Sequence, residues 1–221
     1  MLKKKGRSDI KMDFMEFHQF VKQDLLIYSW ITKNFHPIKK ELKKRHQFIL
    51  DSSQMLIIES GLVIQERMTS QYNGCRIVGE QEIIYTTQGS LTIYGLEDTT
   101  YSLVPVHEVF AKLEDQKLLS NFFLQIAEDL EKDLEWEIQL SAGNAKERVD
   151  MVLKMLIDKY QLNYHTNPEF PRWLKIYVLA KLAKCSVSTV SSILKVRNSN
   201  RVLNRKSTPW LLLEDYQTLY N

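Results

Sequence analysis

The sequence predicts an α+β protein with an N-terminal antiparallel β-roll of the jelly-roll type, a long dimerisation helix and a C-terminal winged helix-turn-helix. Three observations predict this order. Short segments rich in Ile, Val, Tyr and Thr occupy residues 55–110. A stretch without Gly or Pro follows over residues 116–140. Two short helical patterns then flank a polar break within "KLAKCSVSTVSSILK", residues 181–195.

The composition is that of a globular protein, with 221 residues, 44% hydrophobic and 26% charged residues, and a net charge of +3. No apolar run approaches the roughly 20 residues that span a bilayer, and no apolar segment directly follows the basic start "MLKKKGRSD". We therefore expect no membrane partner and a cytoplasmic location. Because Cys75 and Cys185 lie far apart in the chain, we expect no disulfide framework and no cysteine-rich metal or iron–sulfur site. We predict no metal site and no cofactor, with haem held by one of the five histidines as the alternative.

Residues 1–115 are predicted to form the β-roll domain, preceded by a helical segment. The first 50 residues have a polar, helical pattern, and strands are predicted from Met55 to about Phe110. The segments "MLIIESGLVIQERM", "CRIVGEQEIIYTT" and "SLTIYGLEDTTYSLVPV" carry the residue types that favour strands. Turn signals such as Asn73-Gly74 and Gln88-Gly89 separate them, as expected for an antiparallel sandwich or barrel.

Residues 116–140 are predicted to form the dimerisation helix. Its apolar residues recur at intervals of three or four and form one stripe: Leu119, Phe123, Ile126, Leu130, Leu134 and Ile138. A helix of about 25 residues is roughly 37 Å long, which exceeds what a small β-domain can cover. We therefore expect a second copy of the chain to cover part of the stripe. Packing of the whole stripe within its own chain is the alternative.

Residues 141–144 are predicted to form a hinge, and residues 145–221 a DNA-binding domain. Asn144 and Glu147 have the spacing of a capping box at the start of a helix that runs from Ala145 to about Tyr160. The apolar residues of this helix fall on one side: Val149, Val152, Leu153, Leu156 and Ile157.

The helix-turn-helix is predicted from Ile176–Lys184 and Val187–Lys195, with Ser186 as the N-cap of the second helix. One face of the second helix is apolar. The other face carries short hydroxyl side chains and one lysine: Ser188, Thr189, Ser191, Ser192 and Lys195. Such a surface can contact base edges and phosphates in the major groove of double-stranded DNA. An ordinary helical hairpin with a solvated Ser/Thr face is the alternative.

A β-hairpin wing is predicted after the second helix, with a turn over Asn204–Pro209. From Tyr160 to Asn221 there are nine Lys or Arg residues and three acids, a local charge of +6, whereas the rest of the chain carries −3. This asymmetry favours a polyanionic partner. The full set of predicted DNA contacts is Ser186, Val187, Ser188, Thr189, Ser191, Ser192, Lys195, Arg197, Arg201, Arg205 and Lys206.

The chain resembles the Crp/Fnr superfamily of bacterial transcription regulators from about residue 40 onward. The resemblance rests on the order of elements together with "ESGLV" at 59–63, "YSLVPVHEVF" at 101–110 and "LAKLAKCSVSTVSSILK" at 179–195. It implies a cyclic-nucleotide-binding-like β-roll that senses a signal, and a homodimer joined along the long helix. It also implies binding to a two-fold symmetric promoter site, and contact with RNA polymerase if the protein is an activator.

Three departures from the family pattern qualify what the resemblance implies. The family's usual Arg-Glu…Arg of the recognition helix maps onto Val187, Ser188 and Ser192, so the usual half-site is not expected. Gly79-Glu80 is present, but the next arginine after Arg76 is Arg148, so a cyclic phosphate lacks its counter-charge and the effector is expected to differ from cAMP. The N-terminal cysteine cluster of oxygen sensors is absent. The departures are similar to those of an atypical, PrfA-like branch.

Two other classes of function remain alternatives at this point. One is a dimeric adaptor that does not bind DNA. The other is a cupin-like enzyme, which needs clustered His and Glu residues on adjacent strands; only His107 lies near the predicted strands. The sequence also has no GxSxG, P-loop or GxGxxG motif, so no catalytic residue is predicted.

Overall fold

The computed structural model describes residues 14–15, 26–68 and 73–220. Residues 14–15 are helical, and the rest of the helical segment predicted before residue 26 lies outside the described residues. Helix α1 spans Leu26–Phe35. Eight strands follow: β1 Lys39–Leu42, β2 Gln47–Asp51, β3 Gln54–Ser60, β4 Val63–Met68, β5 Asn73–Val78, β6 Ile83–Ile84, β7 Ser90–Gly95 and β8 Thr99–Pro105.

The eight strands form two four-stranded sheets, in the orders β1-β8-β3-β6 and β2-β7-β4-β5. Every strand pair in both sheets is antiparallel. The predicted antiparallel β-roll is therefore confirmed. The interior between the sheets holds Leu42, Leu50, Leu56, Ile58, Val63, Val78, Ile84, Leu91 and Ile93.

The central strand β3 is covered on both faces. Leu56 and Ile58 point into the space between the sheets, whereas Met55 and Ile57 pack against α1, α2 and the start of the long helix. All four side chains are fully buried. Continuous burial explains why "MLII" is an unbroken apolar run rather than an alternating one.

The prediction that the first 50 residues are helical is wrong for residues 39–50, because β1 and β2 occupy most of this segment. Strand β1 lies at the edge of its sheet and exposes three of its four residues. Charged residues are common on such edge strands because they discourage pairing with another chain. The polar sequence "KKEL" therefore fits an exposed edge strand as well as a helix.

The strand region ends five residues before the predicted limit at Phe110. Pro105 is the last residue of β8, and helix α2 spans Val106–Asp115. Val109 and Leu113 lie on one side of α2 and are buried against the outer face of the β1-β8-β3-β6 sheet. The segment "VHEVF" therefore continues as an amphipathic helix rather than as a strand.

The long helix α3 spans Leu119–Ala142 and contains 24 residues. It ends at Gly143, and α4 (Ala145–Lys159) begins directly after Asn144. The predicted capping box is confirmed: Asn144 Oδ1 accepts from the backbone N–H groups of Lys146 and Glu147, and Glu147 Oε2 accepts from Asn144 N–H at 2.8 Å. The break between the two helices is therefore two residues long, shorter than the four predicted.

The C-terminal domain continues with α5 (Ile176–Leu182), α6 (Val187–Ser199), the hairpin strands β9 (Leu203–Asn204) and β10 (Leu211–Leu212), and a 3-10 helix at Glu214–Leu219. The hairpin pairs Leu211 with Asn204 and Leu212 with Leu203. The predicted apolar side of α4 is buried in this domain.

The core of the C-terminal domain is continuous with the outer face of the β-roll. Leu62, Ile64 and Leu96 belong to the same buried cluster as residues of α4, α5, α6 and the hairpin. Leu140, near the end of α3, belongs to it as well. The helix-turn-helix is thus seated on the β-roll and on the end of α3 by apolar contacts.

Within the described part of the chain, no single helix is long and apolar enough to cross a bilayer. Helices α5 and α6 reach the necessary length and apolar composition only when they are taken together, and they are bent by 108° at the break between them.

Candidate nucleic-acid interface

The turn between α5 and α6 contains a residue in the left-handed backbone region. Lys184 has a φ of +51°, a conformation that favours glycine and costs other residues about 1–2 kcal/mol. Cys185 N–H donates to Ala180 O at 2.9 Å and closes the turn. The Lys184 ammonium also pairs with Glu137 of α3. The turn is therefore held by contacts that offset the backbone cost.

Arg148 of α4 provides the main anchor of this turn. Its Nε donates to Ala183 O at 3.0 Å, and its Nη2 donates to Lys184 O at 3.4 Å. Its Nη1 donates to Gly143 O at 2.9 Å. One side chain thus joins the α3–α4 break to the turn of the helix-turn-helix. The sequence prediction missed this role, since nothing in the spacing of residues shows that the two turns meet.

Ser186 caps α6 as predicted. Its Oγ accepts from the backbone N–H of Thr189 at 3.0 Å, which satisfies one of the free donors at the start of the helix. The inward face of α6 is fixed by Val190 and Leu194, which are fully buried. This leaves the predicted polar face on the outside of the domain.

The exposed side of α6 includes most of the predicted contacts. Ser186, Val187, Ser188, Ser192 and Lys195 are exposed, and Thr189 and Ser191 are partly buried. We call these seven residues the outer face of α6. It is continuous along two and a half turns and consists of small side chains followed by one ammonium group.

Arg197 does not belong to this surface, and its prediction as a DNA contact is wrong. The residue is only 8% exposed, and its guanidinium forms a two-armed ion pair with the buried carboxylate of Asp150 in α4. Residue 197 lies on the inward side of α6 together with Val190 and Leu194. We predicted a DNA contact from the positive charge of Arg197 and did not consider which side of α6 the residue occupies.

The wing brings further cations to the edge of the outer face. Arg205 Nη1 donates to Ser191 Oγ at 3.4 Å and so connects the wing to α6. Lys206 is exposed at the hairpin tip. Arg201 lies before the hairpin and is also exposed, but its guanidinium pairs with Glu214 of the 3-10 helix. The predicted wing cations therefore lie at the protein surface, with Arg201 partly neutralised.

A cavity of about 520 Å³ lies between the β-roll and α3. Strands β4, β5 and β6 form one wall and residues 126–137 of α3 form the other. Its charged lining consists of Arg67, Arg76, Asp129, Asp133 and Glu137. Two guanidinium groups, those of Arg67 and Arg76, therefore line this cavity, and both precede Gly79-Glu80 in the sequence.

Both arginines already have partners within the protein. Arg76 Nη1 donates to Asp133 Oδ2 at 2.8 Å, and Arg67 Nη2 donates to Thr86 Oγ1. Together with the three carboxylates, these pairings make the cavity poorly suited to an anionic ligand.

Cys75 also lines this cavity. Burial, together with the nearby Glu66 carboxylate, raises the pKa of its thiol to about 12. The thiol is therefore protonated at neutral pH and has little nucleophilic character. It acts as a small apolar group in the wall.

Two ion pairs connect the walls of this cavity to the helix-turn-helix. Lys181 of α5 pairs with Glu66 of β4 and also lies over the ring of Tyr94, 5.5 Å from its centroid. Lys184 pairs with Glu137, which itself lines the cavity. The position of α5 and α6 is therefore linked to the strands and the helix that enclose the cavity.

The predicted dimerisation stripe divides into two parts. Leu119 and Ile126 pack against the cluster formed by α1, α2 and the outer face of the sheet. Leu130, Leu134 and Ile138 are each 60% exposed, and Phe123 is 42% exposed. The second half of the stripe is thus an apolar surface that is largely uncovered by the described residues of the chain.

Within residues 26–68 and 73–220, no group of three or more His, Cys, Asp or Glu side chains is placed to hold a metal ion. No protein-family model and no curated relative matches the sequence.

Solved structures of bacterial regulators have the same fold. A CooA mutant from Carboxydothermus hydrogenoformans matches with a TM-score of 0.68 at 20% identity, over 86% of this chain and 88% of that chain. The c-di-GMP responsive global regulator CLP of Xanthomonas campestris matches with a TM-score of 0.66 at 13% identity, over 87% and 99%. A protein described as a transcriptional regulator of the Crp/Fnr family, from Eubacterium rectale, matches with a TM-score of 0.65 at 16% identity, over 90% and 95%. The chain therefore has the Crp/Fnr fold.

The buried ion pair predicts that Arg197 stabilises the domain rather than contacting a partner. Arg197→Ala is expected to lower the free energy of unfolding by about 3–5 kcal/mol, because it leaves the Asp150 carboxylate buried without a partner. Urea denaturation measures this change. Lys195→Ala is the control, since Lys195 is exposed, and its effect on stability is expected to stay within about 0.5 kcal/mol. Equal stability of Arg197→Ala and the parent protein would contradict the structural role.

Proposed function

We propose that the protein is a DNA-binding transcription regulator of the Crp/Fnr type that acts as a cytoplasmic homodimer on a two-fold symmetric promoter site. The observation that carries the proposal is the outer face of α6. It exposes small hydrogen-bonding side chains and Lys195 on a helix whose opposite side is buried. In a helix-turn-helix the second helix lies in the major groove and its N-terminal residues contact base edges.

The charges around the outer face support nucleic acid as the partner. Lys195 lies at its C-terminal end, and Arg205 and Lys206 lie in the adjacent wing. Cations in these positions can contact backbone phosphates on either side of the groove, and release of counterions then supplies much of the affinity. Binding is expected to weaken steeply as the salt concentration rises.

The exposed half of the α3 stripe supports the homodimer. Leu130, Leu134 and Ile138 lie on one face at intervals of four residues and are largely exposed. The same three residues from a second copy can cover them in an antiparallel or parallel helix pair. A symmetric dimer presents two copies of α6, which matches a two-fold symmetric DNA site.

The cavity between the β-roll and α3 supports a regulatory role for a small-molecule effector. Movement of Glu137 or of strand β4 would act directly on Lys184 and Lys181, which hold the helix-turn-helix. The carboxylates in the lining favour a neutral or cationic effector, so we propose a signal other than cAMP. An activator would contact RNA polymerase in addition to DNA.

Introducing negative charge into the outer face of α6 tests DNA recognition. The double variant Ser188→Glu and Ser192→Glu is expected to weaken binding at least 100-fold, because two carboxylates per subunit would face the phosphates of the groove. Fluorescence anisotropy with fragments upstream of the protein's own gene measures the affinity. Ser52→Glu, in an exposed turn of the β-roll, adds the same type of charge elsewhere and is expected to bind like the parent.

The proposal fails if the parent shows no salt-sensitive, sequence-preferring binding with or without candidate effectors. It also fails if the double variant binds as tightly as the parent. A protein that dimerises but binds no duplex would instead be an adaptor.

Introducing charge into the α3 stripe tests the homodimer. Leu134→Glu combined with Ile138→Glu is expected to convert the dimer to a monomer at micromolar concentration, because four carboxylates would meet in an apolar interface. Light scattering after size-exclusion chromatography measures the mass. Ile49→Glu is the matched control, since Ile49 is 72% exposed on a different surface, in β2. A monomeric parent, or a double variant that remains dimeric, would contradict this interface.

A further inference from the structure

The first two turns of α6 lack the side chains that most often read bases. Residues 187–193 include three serines, one threonine, two valines and one isoleucine. Arg and Lys read guanine with paired hydrogen bonds, and Asn and Gln read adenine in the same way. None of these four types occurs in the first two turns of the helix. Base recognition there must therefore use methyl contacts and single hydrogen bonds.

Val187 is the apolar part of this face. It is 53% exposed at the first position of α6, directly after the Ser186 cap. Val190, one turn further on, is fully buried in the domain core. Val187 therefore does not contribute to that core. In the major groove, the 5-methyl group of thymine is the one methyl group on the base edges.

Several hydroxyl groups in the first two turns of α6 form hydrogen bonds within the protein. Ser192 Oγ donates its hydrogen to Ser188 O at 3.1 Å. Ser188 and Ser186 share one hydrogen bond at 2.8 Å between their hydroxyl oxygens. Ser192 thus directs lone pairs outward and acts as an acceptor. In the major groove an A·T pair presents, in order, the adenine N7 acceptor, the adenine amino donor, the thymine O4 acceptor and the thymine methyl group.

We propose that Val187 is a specificity-determining residue that recognises the 5-methyl group of thymine, so that the half-site contains an A·T pair at this position. This inference rests on the proposed function. A G·C pair offers no methyl group in the major groove. The exposed valine side chain is thus complementary to the thymine edge of an A·T pair and not to G·C.

The same helix supplies a matched control. Val196 is 56% exposed, almost the same as Val187. It follows nine residues later, which places it half a turn around the helix and about 13.5 Å along its axis from Val187. Truncation of Val196 therefore removes a similarly exposed valine from a different side of α6.

The experiment begins with duplexes that the full-length protein selects from a randomised library. Each conserved thymine of the selected site is then replaced by uracil, which lacks only the 5-methyl group. At one position of the half-site, replacement of thymine in a single half-site is expected to lower the affinity about fourfold. Replacement in both half-sites is expected to lower it about 15-fold. Val187→Ala is expected to weaken binding to the thymine site by a similar factor and to lose all thymine–uracil discrimination.

Val187→Thr keeps one of the two methyl groups and is expected to retain part of the discrimination, whereas Val196→Ala is expected to retain all of it. Thermal unfolding identifies any variant that is not folded. If Val187→Ala is not folded, the thymine–uracil discrimination of Val187→Thr provides the test. The inference is overturned if uracil binds within twofold of thymine at every position. It is also overturned if Val187→Ala and Val196→Ala discriminate equally. Failure to enrich any duplex would instead count against DNA binding itself.

Discussion

The structure depends above all on the Arg148 side chain, which joins two turns that are distant in sequence. Its guanidinium donates to Gly143 O at the α3–α4 break and to Ala183 O and Lys184 O in the turn before α6. Hydrogen bonds from a charged donor are stronger than those from a neutral donor. Because both turns share one rigid group, α6 cannot change its angle to α3 without losing some of these bonds. The orientation of the outer face of α6 is therefore coupled to the long helix.

A second set of contacts couples the same helices to the β-roll. The apolar part is the cluster that includes Leu62, Ile64 and Leu96, and the polar part consists of the Lys181–Glu66 and Lys184–Glu137 pairs. The two lysine side chains are 41% and 28% exposed, whereas those of Glu66 and Glu137 are only 16% and 14% exposed. We propose that these pairs rearrange when the cavity changes. The apolar cluster, by contrast, sets the arrangement seen here.

Features that depend on a local pattern could be predicted from the sequence. Features that depend on how distant segments pack together could not. The capping box at Asn144, the Ser186 cap and the apolar side of α4 follow from spacing along one helix, and the structure has all of them. Arg197 was misassigned because its partner Asp150 lies on another helix. The role of Arg148 and the two cavity arginines could not be predicted for the same reason, since the pairing of distant segments is not encoded in any local period. The β-roll was predicted from residue types, but its polar edge strand β1 was not.

We propose that two copies of the chain pair and present two copies of α6 to one face of a duplex. Hydroxyl-radical footprinting of the full-length protein on a bound promoter fragment measures this geometry most directly. Two protected segments related by two-fold symmetry, with centres about 10 base pairs apart, are the predicted result. A single protected segment, or protection without symmetry, would contradict the account.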